Sequence, residues 1–182
     1  MITIAEAKRP TTAELYLFLK KHNRLPAQLY DPNAMASYAM ATTAVIWMNG
    51  EEPLAMMLET PSVPGLLTLN LVPMQKFVSK ADGIDLRPEI VALAPQLRDR
   101  WFNQGGNYRV QSVAPMAHNQ TVRALKSIGF LVESGPSGIR LGGDFGNGPV
   151  NIALLGLLPD DPAPRAIAAT PAETTTREEA SV

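Results

Sequence analysis

Apolar positions along the chain change period several times, and each change marks an element. Leu15, Phe18 and Leu19 fall at helical spacing behind Thr11-Thr12-Ala13-Glu14, where a hydroxyl and an acidic group suit the free amides of a helix start. Lys20-Lys21-His22 suits its end. Asp31-Pro32-Asn33 opens a second short helix through Met40, with Pro32 in its first turn. Residues 43–48 are β-branched and aromatic, Asn49-Gly50 is a hairpin signal, and residues 54–60 continue as the return strand. Residues 61–65 read as a loop and 66–72 as a strand ended by Pro73. Helical spacing returns at Ile90, Leu93, Leu97 and Trp101, predicting a helix over 87–102 that Pro95 kinks or breaks and that 103–107 stops. A strand over 108–114 leads to a helix over 119–128, capped by Asn119 and stopped by Gly129. Residues 130–133 and 139–141 read as strands around a turn at 134–138, and 150–158 as a last, buried strand. The order is α α β β β α β α β β, an α/β domain of the mixed α+β kind.

Composition sets the limits of that domain. A chain of 182 residues, 46% hydrophobic and 18% charged, supports one core. We place it over residues 1–158. From Pro159 the sequence turns to Pro, Ala, Thr and Glu, which cannot bury enough surface to offset ordering entropy. Residues 159–182 are therefore expected to be disordered alone, or an arm laid on a partner. A formal net charge of −1 and 6% aromatic residues argue against nucleic-acid recognition and against attraction to anionic lipid. Having no cysteine excludes disulfides, thiolate metal sites and a Cys nucleophile, and His22 and His118 alone predict no metal site. The first ten residues carry charges and lack an apolar signal region, and the longest apolar run, 152–158, is too short to span a bilayer.

The spacing Asn119-x-x-Val122-x-x-Leu125-Lys126-x-x-Gly129-Phe130 resembles the late helix of the GNAT superfamily of acyl-CoA N-acyltransferases. A strand precedes it and two come after it, as in that family, so the resemblance covers about residues 11–158. It implies a mostly antiparallel, twisted sheet of six to seven strands flanked by helices, splayed between the fourth and fifth strands. Coenzyme A would lie in that splay, its pyrophosphate on the amides of a Gln/Arg-x-x-Gly-x-Gly/Ala loop, because helix-start amides favour an anion and glycines allow close approach. On this sequence the cleft would comprise Leu71, Val72, Gln75, Lys76, Lys80, Gly83, Ser112 and Asn119.

The loop departs from the pattern. Gln75 is present, but Val78 and Lys80 stand where the glycines belong. Lys76 and Lys80 read either as phosphate-binding charges or as a solvated basic loop, and Gly83 as a nest in a shifted loop. The family's general acid, a Tyr in the late helix, is replaced by Lys126, which reads as an acid or as an exposed helical lysine. Glu59 and His118 are the candidate bases, or else polar strand-end residues. Together these departures predict a retained fold with an eroded acyl-CoA site, hence no cofactor. The alternative is an active N-acetyltransferase using acetyl-CoA through an unusual loop.

A narrower resemblance rests on residues 113–130, with Asn119, Leu125-Lys126 and Ile128-Gly129. This segment is similar to the GNAT-like internal virion protein A family of T7-like podophages, which also lacks a clean glycine loop. It implies a structural or assembly role in a bacteriophage particle, located in the virion or the host cytoplasm. Its partners would be other virion proteins, reached through 159–182.

Overall fold

The first two helices begin as their sequences imply. Thr11 Oγ1 accepts the Glu14 N–H and Glu14 Oε2 accepts the Thr11 N–H, a reciprocal cap that starts α1 (Thr12–Lys21). Asp31 Oδ1 accepts the Asn33 N–H and starts α2 (Pro32–Ala41). The computed structural model describes residues 1–7, 11–22, 31–135, 138–141 and 150–164.

Before α1 lies β1 (Ile2–Glu6), which the pattern does not announce. Among the described residues it is an edge strand paired only with β2 (Thr43–Asn49), and of its five residues Ile2 alone is buried, so alternation is faint. Gly50 turns the chain at φ +64° into β3 (Glu52–Val63). This strand runs past Pro61, so the loop expected over 61–65 shrinks to a turn at Pro64-Gly65. The register slips between Pro61 and Val63, an irregularity that tolerates a residue without an N–H. After β4 (Leu66–Pro73) comes a small hairpin, β5 (Val78–Ser79) and β6 (Ile84–Asp85), where a plain loop was expected.

The long helix α3 (Arg87–Arg98) neither breaks nor ends at Pro95. It widens four residues later into π-helical turns over Asp99–Gln104. Next come β7 (Arg109–Pro115), α4 (Asn119–Ser127), β8 (Leu131–Val132), β9 (Ile139–Leu141) and β10 (Val150–Leu157). His118, not Asn119, holds the cap position of α4, and no side chain caps it; Asn119 is the first helical residue. Gly129 ends the helix as expected. With φ +107° it brings its own N–H to Lys126 O (3.1 Å) and the Phe130 N–H to Leu125 O (3.0 Å).

Among the described residues the strands take the order β1-β2-β3-β4-β7-β10-β8, with β9 also on β10, and β4–β7 is the parallel pair. On one face Ile90, Leu93, Leu97 and Trp101 pack with Leu125, Phe130 and the sheet residues Trp47, Leu69 and Leu71. On the other, Leu15, Leu19, Met35 and Ala39 cover Ala44 and Leu58. Beyond β10, Arg98 Nη2 donates to the carbonyls of Leu158 (3.3 Å), Pro159 (2.7 Å) and Asp161 (2.8 Å). The start of the segment assigned to a tail is therefore clamped to α3. Residues 165–182 lie outside the described residues.

Candidate cofactor cleft

Pairing between β4 and β7 runs from Leu66↔Arg109 to Leu69↔Ser112 and stops. Past that point β4 stays with β3 as far as Pro73, and β7 stays with β10 as far as Pro115. The two strands thus fork at their C-terminal ends. Two carbonyls of β4 at the fork are occupied from within. Ser112 Oγ donates to Leu69 O (2.9 Å), and Thr121 Oγ1, from α4, donates to Leu71 O (3.3 Å); both side chains are buried.

Its neighbour Gln120 reaches further. Gln120 Oε1 accepts the N–H groups of Phe77 (3.0 Å) and Val78 (3.2 Å), while its Nε2 donates to Val78 O (3.0 Å). The Phe77 ring is buried against Trp47, with centroids 6.2 Å apart, which fixes the chain beside α4. Sequence reasoning misses Gln120 and Thr121. No local signal marks them, because each acts through a fold contact.

The remaining loop residues point elsewhere. Gln75 turns back to the β2–β3 hairpin, its Nε2 donating to Glu52 Oε2 (3.2 Å) and Pro53 O (3.1 Å). Lys76 pairs with Asp82 at 2.8 Å, and Ser79 Oγ donates to the same carboxylate. These bonds, with Lys76 the first cause, hold the Asp82 carboxyl below the usual carboxylate range. Lys80 is exposed, and Gly83, at φ +65°, forms the turn of the β5–β6 hairpin. The first turn of α3 already has an anion. Asp85 Oδ1 accepts the Arg87 N–H (3.1 Å) and Nε–H (2.7 Å), and Arg87 lowers the Asp85 pKa. Leu71 faces the core in β4, and Val72 is buried on the opposite face of the sheet.

Among the catalytic candidates, Lys126 is exposed near the end of α4 and Asn119 is exposed at its start. His118 is half-buried at the cap of α4. Glu59 is 6% exposed and committed to an ion pair. Its carboxylate accepts Arg100 Nε (3.1 Å) and Nη2 (2.9 Å) and Trp101 Nε1 (2.7 Å). Arg100 Nη1 also meets Glu6 at 2.6 Å, and the Glu59 hydrogen bonds push the guanidinium pKa up. An open cavity of about 680 Å³ adjoins this group, lined by Pro64, Leu67 and Asn107 among others, at the paired end of β4 and β7 rather than in the fork. Among the described residues no three His, Cys, Asp or Glu side chains are placed to hold a metal, and no helix is long and apolar enough to cross a membrane.

A largely antiparallel sheet with one parallel pair forked at its ends, and a helix closing on the fork, is the fold of the GNAT acetyltransferases. Solved structures bear this out. A putative acetyltransferase from Acinetobacter baylyi is similar over 92% of this chain and 98% of its own, at 14% identity and a TM-score of 0.56. A GNAT-family acetyltransferase from Streptococcus pneumoniae gives 87%, 99%, 15% and 0.53. An aminoglycoside acetyltransferase in complex with coenzyme A and kanamycin gives 87%, 95%, 14% and 0.50. At such identities the likeness concerns the fold. No family model matches the chain, and no curated protein matches it.

Proposed function

We propose that this chain uses the acetyltransferase fold as a binding or structural scaffold and does not carry acyl-CoA chemistry. One observation supports the reading above the others: α4 occupies several backbone groups of the cleft. Thr121 takes Leu71 O in the fork, and Gln120 takes the two amides nearest the place where the family receives a pyrophosphate. Val78 and Lys80 in place of glycines, and Asp85 at the start of α3, add steric and electrostatic obstacles. On these grounds the cleft residues do not fit coenzyme A held as in the family.

A second reading, an acyl-CoA-dependent N-acetyltransferase with an unusual phosphate loop, draws on the preserved fork and on neighbours that include a coenzyme A complex. Similarity alone favours it over a structural role. The role in a bacteriophage particle rests only on residues 113–130, and none of the comparisons speaks for it. Calorimetric titration with acetyl-CoA separates the two readings, with thiol release in the presence of kanamycin as a parallel assay. The scaffold reading expects silence at millimolar ligand. Micromolar binding would overturn it.

A further inference from the structure

We infer that the open edge of β1 receives an added β-strand: an extended segment of another protein, carrying a lysine or arginine that pairs with Glu89. This goes beyond the scaffold reading and holds whatever the cleft binds, because β2 and β3 separate β1 from β4. The backbone of β1 is set for it. Ala7 N–H donates to Ala44 O (3.0 Å), in step with the β1–β2 register, so Ala5 and Thr3 make the next hydrogen-bonded pairs with β2. The N–H and C=O groups of Ile2, Ile4 and Glu6 therefore face away from β2, and among the described residues no strand takes them. A groove of about 610 Å³ lies beside this edge, lined by Ile2 and Ile4 from β1 and by Glu89, Ala92, Leu93 and Gln96 from one face of α3. The Ile2 and Ile4 side chains pack toward the core that α3 covers. An added strand would continue their row and lay alternate side chains against α3, with main-chain bonds holding it and the groove selecting its sequence. Charge says which sequence. Among the described residues Glu89 is the one charged side chain in that lining, and its Oε2 is buried without a hydrogen-bond partner. A carboxylate partly withdrawn from water and left uncompensated is unfavourable, and an incoming ammonium or guanidinium relieves it. A second copy of this chain is the poorer match, since β1 offers Glu6 and no basic residue.

The probes are two terminally blocked octapeptides in which threonine alternates with valine, one with a lysine in the middle of the valine row and one with a glutamate there. Each is titrated by calorimetry into wild type and Glu89→Gln, with n-butylamine as the control for the amine alone. Wild type is expected to bind the lysine peptide about tenfold or more tightly than the glutamate peptide, and E89Q to lose that preference. Amide hydrogen exchange followed by NMR should slow at Ile4 and Glu6 when the lysine peptide binds. It should stay as it was at Thr3 and Ala5, whose N–H groups β2 already holds. Silence of both peptides at millimolar concentration overturns the inference, as does equal affinity for the two, or binding without slowed exchange at Ile4 and Glu6. Butylamine matching the lysine peptide would reduce the site to an amine pocket and overturn the added strand. A dimer in analytical ultracentrifugation, with Ile4 and Glu6 protected before any peptide is added, would give the edge to a second copy and overturn the choice of partner. The comparison of peptides in wild type stands even if E89Q fails to fold. The scaffold reading fails by micromolar acetyl-CoA binding, a result that leaves this edge untouched.

Discussion

Replacing Glu59 by Gln keeps the shape of the side chain and removes its charge. The Gln carbonyl can still accept Trp101 Nε1–H, but its NH₂ then faces the N–H groups of Arg100, donor against donor. Removing one partner of a fully buried ion pair costs about 3–5 kcal/mol. Arg100 keeps 24% of its side-chain surface and a second carboxylate, that of Glu6, itself 69% exposed, so water and Glu6 recover part of the loss. We therefore expect E59Q to lose about 2–3 kcal/mol, nearer the net value of hydrogen bonds to charged groups. For a domain of this size that lowers Tm by roughly 5–10 °C. Urea unfolding monitored by tryptophan fluorescence measures it directly, with Trp101 as a reporter at the site. Adding Arg100→Met removes the stranded cation, so the double variant is expected to be more stable than the summed single losses by about 1 kcal/mol or more. A loss below about 0.5 kcal/mol for E59Q, or strict additivity, would refute the assignment of Glu59 to a structural ion pair.

Burial pushes the Tyr38 hydroxyl above its usual value of 10.0, against hydrogen bonds with Thr60, Thr42 and Asn70 that lower it. Stability from this group is therefore complete below the unfolded pKa near 10 and falls as pH rises from there through the folded value. Thermal melts at rising alkaline pH should show a steeper decline for wild type than for Tyr38→Phe, and parallel declines would rule the effect out. Gly129→Ala is expected to cost about 1–2 kcal/mol through backbone strain alone. Its new Cβ would meet Arg98 Nη1, Leu157 Cδ1 and Pro164 Cδ at an ordinary 3.5 Å. An unchanged urea midpoint would contradict the left-handed cap.

Much of the fold was legible because its elements arise from local chemistry. The Thr11–Glu14 cap, the Asn49-Gly50 turn, the α3 stripe and the Gly129 stop each depend on residues a few positions apart. The failures come where local signals are weak or overridden. In β1 one buried residue in five gives no period, Pro61 stays in a strand because the register yields around it, and the widening after Arg98 has no sequence mark. The cleft shows a sharper limit. Val78 and Lys80 could be read as missing glycines, since the family pattern names those positions. The same pattern writes Asn119-x-x-Val122, and its two unnamed positions are Gln120 and Thr121. A helix turns about 100° per residue, so Asn119 and Lys126, seven apart, share a face to within about 20°, and Gln120 and Thr121 lie off it. Those two reach partners 42 and 50 residues away, a relation that no spacing within one segment can encode. A motif lists what its family keeps in common. What this chain does differently with the cleft is written in the gaps, and reading it required the strand, the loop and the helix to be brought together.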